Sequence, residues 1–384
     1  MKRSLLFLVA ISLLVILAGC EEPPGITNAG TGDVPAGTSP AGEPTTNEPS
    51  ASNPTANEPA DHFISVTADM TKLEAGFSAV RYDGDYAFDR FLEQGGANSD
   101  QNVLRFLTST LLQANAGLEM VGNPFGCSTI SVKNAAGGYF FGRNFDWQTC
   151  DALVVEAYPE NGYASISTVN LGFIRQGAGL AASMLSGKAL TVAALYAPLD
   201  GMNEKGLCVS VNMIQDGSTI HQDTGKPDIT TTTAIRLMLD KAAGVEEALE
   251  LLRQYDLHAS MDYMIHFAIA DSSGNSVDVE YVDNEMIVTK TPILTNFYLA
   301  EGKKQGVGTQ QSHTRFDILK QTLEDHPSMT ATEVRDALDS VSKHNFGEFE
   351  STEWSIVFDS SNLTATYYHR ENYETAYAFR LSGR

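Results

Sequence analysis

The sequence is poor in basic residues. Its 25 lysines and arginines face 48 aspartates and glutamates, which gives a formal net charge of -23 at pH 7. A protein that binds nucleic acid needs a basic surface to neutralise the phosphates. The charge balance therefore argues against a nucleic-acid partner, and an acidic surface otherwise indicates little beyond solubility.

Cysteine is also scarce, with four residues in a chain of 384, and no close cluster of histidine, cysteine and aspartate has the spacing of a metal-ligand motif. We therefore expect neither a metal nor a cofactor. The cysteines are Cys20, Cys127, Cys150 and Cys208. Outside the cytoplasm Cys150 and Cys208 would be able to form a disulfide, and two free buried thiols are the alternative.

The first twenty residues have the pattern of a targeting segment. Lys2 and Arg3 precede an apolar run that is too short to span a bilayer comfortably and fits the core of a signal peptide. The run closes with “LAGC”, which resembles a bacterial lipobox. Residues 1–20 thus predict a lipoprotein signal peptide with Cys20 as the lipidation site, and an ordinary secretory signal is the alternative. The mature protein would be anchored to the outer side of the cell membrane.

Residues 21–60 contain no aromatic residue, lysine or arginine and are rich in proline, threonine and glutamate. Such a segment cannot bury enough apolar area to offset the entropy of ordering, which predicts a disordered tether. Residues 61–126 regain apolar content. Ser99 is a plausible N-cap there, and Val103, Leu104, Leu107 and Leu111 follow on one face of a predicted helix.

From residue 127 onward, strand patterns alternate twice with helix patterns and close with strands. This order predicts an α+β fold in which two antiparallel sheets pack together with helices outside. The apolar run “TVAALYA” at 191–197 is interpreted as a strand buried on both faces.

Cys127 raises the question of a nucleophile without a base. A thiol attacks as the thiolate, yet the nearest histidines in sequence are His62 and His221. Cleavage of the Gly126–Cys127 peptide bond would give Cys127 a free α-amine, whose pKa of about 7.7 to 8.0 suits a general base. Gly126 has no Cβ, so it would leave room for the Cys127 thiol to attack the Gly126 carbonyl and cut the bond. An inert buried cysteine is the alternative.

Motifs in a recognisable order surround Cys127. They are “CSTI” at 127–130, “FGRNFD” at 141–146, “GMNEKGLCVSVNM” at 201–213, “ADSSGNSVDVEYVDNEMIVTKTPILTN” at 270–296 and “SHTRF” at 312–316. With them, residues 123–384 resemble the N-terminal nucleophile (Ntn) hydrolases of the choloylglycine hydrolase and penicillin V acylase type, and their relatives the isopenicillin N acyltransferases. The resemblance implies a four-layer αββα sandwich, with the catalytic domain at 127–384.

The resemblance also implies catalytic roles. Cys127 would attack an amide carbonyl, and its own amine would carry the proton to the leaving nitrogen. Asp146 would hold that amine, and Arg143 would favour the thiolate and orient the site. A structural ion pair between Arg143 and Asp146 is the alternative.

Three further residues complete the implied site. The side-chain amide of Asn212 would form an oxyanion hole with a backbone N–H. Asn296 would orient the amine or the substrate, and Arg315 would support the cysteine electrostatically. Turn or strand-end asparagines and a surface arginine are the alternatives.

The expected activity is hydrolysis of linear amide C–N bonds through a cysteine thioester, with small N-acyl amides as substrates. Candidates are N-acyl amino acids, bile-salt conjugates, penicillin V-like amides and acylated signalling molecules. The alternatives are acyl transfer to an amine, and an inactive surface lipoprotein that binds a ligand. Because 126 residues precede Cys127, residues 61–126 are interpreted as a folded, propeptide-like segment that is cut autocatalytically after Gly126.

Overall fold

The computed structural model describes most of the chain beyond the N-terminal region, at residues 63–112, 126–178, 187–346 and 350–382. The signal peptide predicted for 1–20, the lipidation site Cys20 and the tether predicted for 21–60 lie outside the described residues. So does the side chain of Leu111. Within the described ranges, no helix is long and apolar enough to cross a membrane.

The strands are numbered in chain order. They are β1 (Thr71–Glu74), β2 (Phe77–Asp83), β3 (Gly126–Asn134), β4 (Tyr139–Trp147), β5 (Ala152–Tyr158), β6 (Ser165–Asn170), β7 (Asp200–Asn203), β8 (Cys208–Met213), β9 (Asp228–Thr230), β10 (Asp256–His258), β11 (Ile265–Ala270), β12 (Ser276–Val282), β13 (Glu285–Lys290), β14 (Ile293–Leu294), β15 (Ser328–Met329), β16 (Ser351–Asp359), β17 (Thr364–His369) and β18 (Tyr377–Arg380).

The α-helices are α1 (Phe88–Glu93), α2 (Asp100–Leu107), α3 (Leu171–Ala178), α4 (Lys188–Leu195), α5 (Thr231–Lys241), α6 (Val245–Leu252), α7 (Gln310–Asp325) and α8 (Ala331–Asp339). A π-helical turn at Thr108–Leu112 extends α2, and Ser260–Asp262 forms a 3₁₀ turn. The predicted cap at Ser99 is confirmed, because its side chain accepts from the backbone of Asn102. Thr330 and Glu333 have the spacing of a capping box, and both of its hydrogen bonds form at the start of α8.

Two large sheets carry the fold. One has nine strands in the order β1-β2-β5-β6-β7-β8-β11-β12-β13, and the other has the order β14-β3-β4-β16-β17-β18 with β15 beside β3. Every pair in the nine-stranded sheet is antiparallel except β2 with β5, and β15 is parallel to β3. The hairpin of β3 and β4 turns at residues 134–138, where Gly137 and Gly138 adopt φ of 110° and 82°, which only glycine does readily.

Apolar side chains from both sheets form the main core. Val154, Val209 and Phe267 come from the nine-stranded sheet, and Phe141 and Trp354 come from the other. A second core lies on the outer face of the smaller sheet, where Ile130 and Val132 of β3 pack with side chains of α7 and α8. Helix α5 packs on β7 and β8. The predicted α+β arrangement of two sheets with helices outside is confirmed.

The segment before Cys127 is built into this fold. Strand β2 lies in parallel beside β5 and extends the nine-stranded sheet. Phe77 and Phe91 are buried in the main core. The hydroxyl of Tyr86 donates to the carboxylate of Asp240, which also forms an ion pair at 2.8 Å with Arg236 on α5. The segment therefore shares both a sheet and a buried polar network with the rest of the domain.

The prediction of a strand at 191–197 is wrong, because most of this run lies in helix α4. Residues from Leu190 to Leu195 are all buried. A helix buried on every side shows no 3.6-residue periodicity, so a short apolar run cannot be distinguished from a buried strand by pattern. The alanines of the run favour the helix.

The disulfide considered between Cys150 and Cys208 does not form, and both thiols are free. Cys150 precedes β5, whereas Cys208 begins β8, and β6 and β7 lie between these strands. Three strand intervals of about 4.8 Å separate the two positions by about 14 Å. A disulfide needs Cα atoms within about 7 Å.

We expect Tyr86→Phe to destabilise the protein by about 1–3 kcal/mol, because the buried Asp240 carboxylate loses a donor. Urea unfolding followed by circular dichroism measures the change. Tyr255→Phe, at a partly buried position in the turn after α6, is the control and should shift the midpoint little. Equal midpoints for Tyr86→Phe and the wild type would contradict a role of this contact in stability.

Candidate active site

Cys127 lies near the start of β3, between β4 of its own sheet and β8 of the facing sheet. Its side chain is fully buried. The Sγ atom is 3.7 Å from the carbonyl oxygen of Val211 on β8. Its backbone N–H donates at 2.8 Å to Oδ1 of Asn296, just beyond β14. The thiol and its own nitrogen are thus held where the two sheets meet.

Asn296 and Arg315 fix the backbone of Cys127 from the far side of β14. Nδ2 of Asn296 donates to the carbonyl of Met213 at 2.7 Å. Arg315, on α7, donates from Nη2 to Oδ1 of Asn296 at 2.7 Å and from Nη1 to the carbonyl of Cys127 at 2.6 Å and to Ser128 Oγ at 2.6 Å. Arg315 is therefore a buried clamp on the cysteine and not a surface arginine.

Arg143 and Asn212 lie on the other side of the thiol. Arg143 Nε is 2.8 Å from Asp200 Oδ2, and its Nη1 donates to Oδ1 of Asn212 at 3.2 Å. Trp354 donates to the same Asp200 oxygen at 3.0 Å. Nδ2 of Asn212 donates to the carbonyl of Thr295 at 3.1 Å. Since an amide nitrogen carries two N–H groups, one N–H of Asn212 remains for another acceptor.

Burial and the neighbouring charges change the pKa of the Cys127 thiol in opposite directions. Burial raises the pKa of Cys127 above its usual value, whereas the Arg143 guanidinium lowers it and the Asp146 carboxylate raises it. Arg315 also lowers the pKa. The two arginines thus favour the thiolate, but burial dominates in the uncut chain.

Asp146 lies directly opposite Gly126 in the pairing of β3 with β4. Its Oδ1 accepts from Thr352 Oγ1 at 2.8 Å. Its Oδ2 is buried and has no hydrogen-bond partner among the described residues. The nearest cations to Oδ2 are Arg315 Nη1 at 3.6 Å and Lys343 Nζ at 3.8 Å. One carboxylate oxygen beside the Gly126–Cys127 bond is therefore open to a new donor.

Beneath Asn212 lies a buried cluster of His266, Asp278 and Glu280. His266 Nδ1 is 3.2 Å from Asp278 Oδ1 and 3.7 Å from Glu280 Oε1, and its Nε2 is 2.9 Å from the carbonyl of Thr295. Burial lowers the pKa of His266, but the carboxylates of Asp278 and Glu280 raise it to about 10. The protonated ring therefore donates to Thr295, whose carbonyl also accepts from Asn212.

The structure brings together every predicted site residue: Cys127, Arg143, Asp146, Asn212, Asn296 and Arg315. Sequence reasoning missed Asp200, Thr352, Lys343 and the His266 cluster. In that cluster, one ring nitrogen of His266 and one carboxylate oxygen each of Asp278 and Glu280 lie within 4.8 Å of one another. The available signal was an ionisable residue within a buried strand. Asp200 begins β7 after an apolar stretch, and Asp278 and Glu280 alternate with valines in β12.

Comparison with known families gives a clear match. The sequence model of the acyl-coenzyme A:6-aminopenicillanic acid acyl-transferase family matches residues 133–374, which is more than half of the chain. The chain belongs to this family, and the resemblance stated from its motifs is confirmed. The match begins within β3, shortly after Cys127.

Single relatives are more distant. A penicillin V acylase from Pectobacterium atrosepticum is 27% identical over 99 residues, which cover 23% of this chain and 26% of that protein. The chain thus aligns with about a quarter of the length of this relative.

Two solved structures are similar to part of the chain. A conjugated bile acid hydrolase from Clostridium perfringens has a TM-score of 0.49 at 17% identity, over 66% of this chain and 92% of its own. A penicillin V acylase from Agrobacterium tumefaciens has a TM-score of 0.46 at 19% identity, over 63% and 83%.

The His266 cluster predicts that stability falls at alkaline pH. A pKa that is higher in the native state than in the unfolded state means that the native state binds the proton more tightly. The contribution of His266 is complete below its ordinary pKa of 6.5 and is lost as pH rises through about 10. Burial raises the pKa of the Asp278 carboxyl to about 7. The stability that its protonation contributes is therefore lost as pH rises towards 7, below the pH range in which the contribution of His266 is lost.

Unfolding midpoints at pH 7, 8, 9 and 10 measure this dependence. We expect the wild type to lose stability across the series more steeply than the double variant His266→Gln/Asp278→Asn, which places a neutral pair at the same positions. The same slope in both proteins would contradict the assignment of the alkaline loss to this cluster.

Proposed function

We propose that the protein hydrolyses linear amide bonds of N-acyl compounds with Cys127 as the nucleophile, after the chain has cut itself between Gly126 and Cys127. The position of the Cys127 nitrogen supports this function. In the uncut chain the nitrogen of Cys127 already donates at 2.8 Å to Asn296 Oδ1. The atom that cleavage would turn into the α-amine is therefore held in place before it becomes a base.

The proposed reaction needs no histidine. The α-amine takes the thiol proton, and Sγ attacks the substrate carbonyl carbon. The remaining N–H of Asn212 donates to the oxygen that becomes negative. The amine then gives the proton to the leaving nitrogen, the C–N bond breaks and a thioester remains. Water attacks the thioester and releases the acid.

The charged neighbours suit these steps. Arg143, held by Asp200, lowers the pKa of the thiol against the effect of burial. The open Oδ2 of Asp146 lies beside Gly126, next to the position where the new amine would form. That oxygen would accept a hydrogen bond from the ammonium form of the amine.

An apolar acyl group fits the surroundings of the site. A cavity of about 60 Å³ is lined mainly by apolar side chains, among them Leu107, Phe173 and Tyr196. The ring of Phe173 packs at 5.0 Å against Trp147, and Trp147 stacks on Phe145, which faces Cys127 across the β3–β4 pair. The cavity is thus linked to the thiol by a short chain of aromatic contacts.

The second candidate function is acyl transfer, which the description of the family favours. Transfer and hydrolysis pass through the same thioester and differ in whether an amine or water attacks it. Addition of 6-aminopenicillanic acid to a hydrolysis assay distinguishes them. An N-acylated product at the expense of free acid supports transfer, and free acid alone supports hydrolysis.

We expect Cys127→Ala to be a single uncut chain without amide hydrolysis. The substrates are a panel of N-acyl amides in which aliphatic and aromatic acyl groups are varied on one amine, and released amine is quantified. Because the cavity is apolar, turnover should rise with the apolar area of the acyl group. Cys208→Ala, which removes a buried thiol at the far end of β8, is the matched control and should keep the activity.

Activity that survives Cys127→Ala would contradict the proposed nucleophile. Failure of the wild type on the whole panel, together with failure of an activated-thiol probe to label Cys127, would favour a binding protein without catalysis.

We further propose that the protein is a lipoprotein anchored to the membrane through Cys20, and the sequence of residues 1–20 supports this. Two acyl chains on one cysteine give about the affinity that stable anchoring requires. In cells labelled with a palmitate analogue, the wild type should carry the label and sediment with membranes. Cys20→Ala should carry no label and leave the membrane fraction, and Cys150→Ala is the control. A labelled Cys20→Ala chain would contradict the assignment.

A further inference from the structure

Self-cleavage would create two charges in a buried place. Hydrolysis of the Gly126–Cys127 bond leaves a carboxylate on Gly126 and an ammonium on Cys127. Gly126 is buried and lies opposite Asp146. A buried charge is costly unless it has a counter-charge. Asp146 provides one for the ammonium, and the carboxylate needs a cation on its own side of the bond.

Lys343 lies at that side of the bond. A Cβ atom built on Gly126 would be 2.5 Å from Lys343 Nζ and 2.8 Å from Asp146 Oδ2. Since a carbon–carbon single bond is about 1.5 Å long, Nζ lies within about 4 Å of the Cα of Gly126. The Lys343 side chain is only 3% exposed.

The position of Lys343 is fixed by its neighbours. Its backbone N–H donates to Thr352 Oγ1 at 2.9 Å, and its carbonyl accepts from the Thr352 N–H at 3.0 Å. The same Thr352 hydroxyl donates to Asp146 Oδ1. The ammonium of Lys343 forms an ion pair with Glu350 and is 3.8 Å from Asp146 Oδ2. One threonine thus places the two counter-charges together.

Arg143 and Arg315, the other cations near the thiol, make their hydrogen bonds to groups other than Gly126. Arg143 is held by Asp200 and Asn212. Arg315 donates to the carbonyl of Cys127 and to Asn296. Both contact the cysteine side of the scissile bond. Among the cations of the described ranges, Lys343 is the one placed against Gly126.

We propose that Lys343 is a catalytic residue of the self-cleavage. Its ammonium binds the negative charge that develops on the Gly126 carbonyl oxygen, and then binds the Gly126 carboxylate. The inference rests on the proposed function. It also gives residue 126 a reason to be glycine, because any side chain there would displace the ammonium from the bond.

The self-cleavage passes through a thioester between Gly126 and Cys127. Sγ of Cys127 attacks the Gly126 carbonyl carbon, a C–S bond forms and the C–N bond breaks, and the thiol proton moves to the Cys127 nitrogen. Water then attacks the thioester and the C–S bond breaks. The products are the Gly126 carboxylate, a restored thiol and an ammonium on Cys127, so that one peptide bond and one water are consumed.

The experiment follows the fraction of full-length chain that is cut, by intact-mass spectrometry from cell lysis onward. Lys343→Met should slow cleavage by about 100-fold, as the loss of one donor to an oxyanion does. Lys343→Arg keeps the charge and should stay within about 10-fold of the wild type. Lys320→Met, at an exposed position on α7, is the control and should cleave as the wild type does.

Glu350→Gln separates chemistry from structure. It breaks the same ion pair but leaves the ammonium beside Gly126, so cleavage should stay within a few-fold of the wild type. Equal slowing by Lys343→Met and Glu350→Gln, or no slowing by Lys343→Met, overturns the inference. If Lys343→Met does not fold, Gly126→Ala replaces it, because the added methyl displaces Nζ. A Gly126→Ala chain cut at the wild-type rate then overturns the inference.

Failure of the proposed function gives a different result. A wild-type chain that is never cut refutes the self-cleavage and this inference together. A wild-type chain that is cut, beside a Lys343→Met chain cut equally fast, refutes only the role of Lys343. Amide hydrolysis is measured separately and does not enter the comparison.

Discussion

The hydrogen bond from the Cys127 nitrogen to Oδ1 of Asn296 is the contact on which the rest of the site depends. It fixes the nitrogen that would act as the base, and this nitrogen belongs to the same residue as the thiol. Arg315 donates to that same Oδ1 and to the Cys127 carbonyl, so the backbone of the cysteine is held on both sides of its Cα. The thiol of a residue held in this way has little freedom except rotation about its own side-chain bond.

The charged residues around this contact are buried, and opposite charges lie next to one another. Arg143, Arg315 and Lys343 face Asp146, Asp200 and Glu350 across a buried region between β3, β4 and β16. Buried ions are retained only when they are paired and hydrogen-bonded. Several polar atoms of this group lack a hydrogen bond among the described residues, and one of them, Asp146 Oδ2, lies beside Gly126, where cleavage would create a donor. This open oxygen is consistent with a site that receives a new positive charge on cleavage.

Sequence reasoning succeeded where a local pattern determines local structure. The Ser99 cap is a signal of a few residues, and it is confirmed. The turn between β3 and β4 and the Thr330 capping box are local patterns of the same kind. It failed at α4, because an apolar run buried on all sides has no distinguishing period. The set of site residues came from motifs of a family. Lys343, Thr352 and His266 were missed because their partners lie far away in sequence, and only the pairing of β16 with β4 and of β11 with β8 brings them together.

The mass and N-terminal sequence of the purified wild-type protein show whether the Gly126–Cys127 bond is cut. We expect self-cleavage to give two polypeptides that remain associated, with the larger one beginning at Cys127 and carrying a free α-amine. An intact chain, with Gly126 still joined to Cys127, that nonetheless hydrolyses N-acyl amides would contradict this expectation.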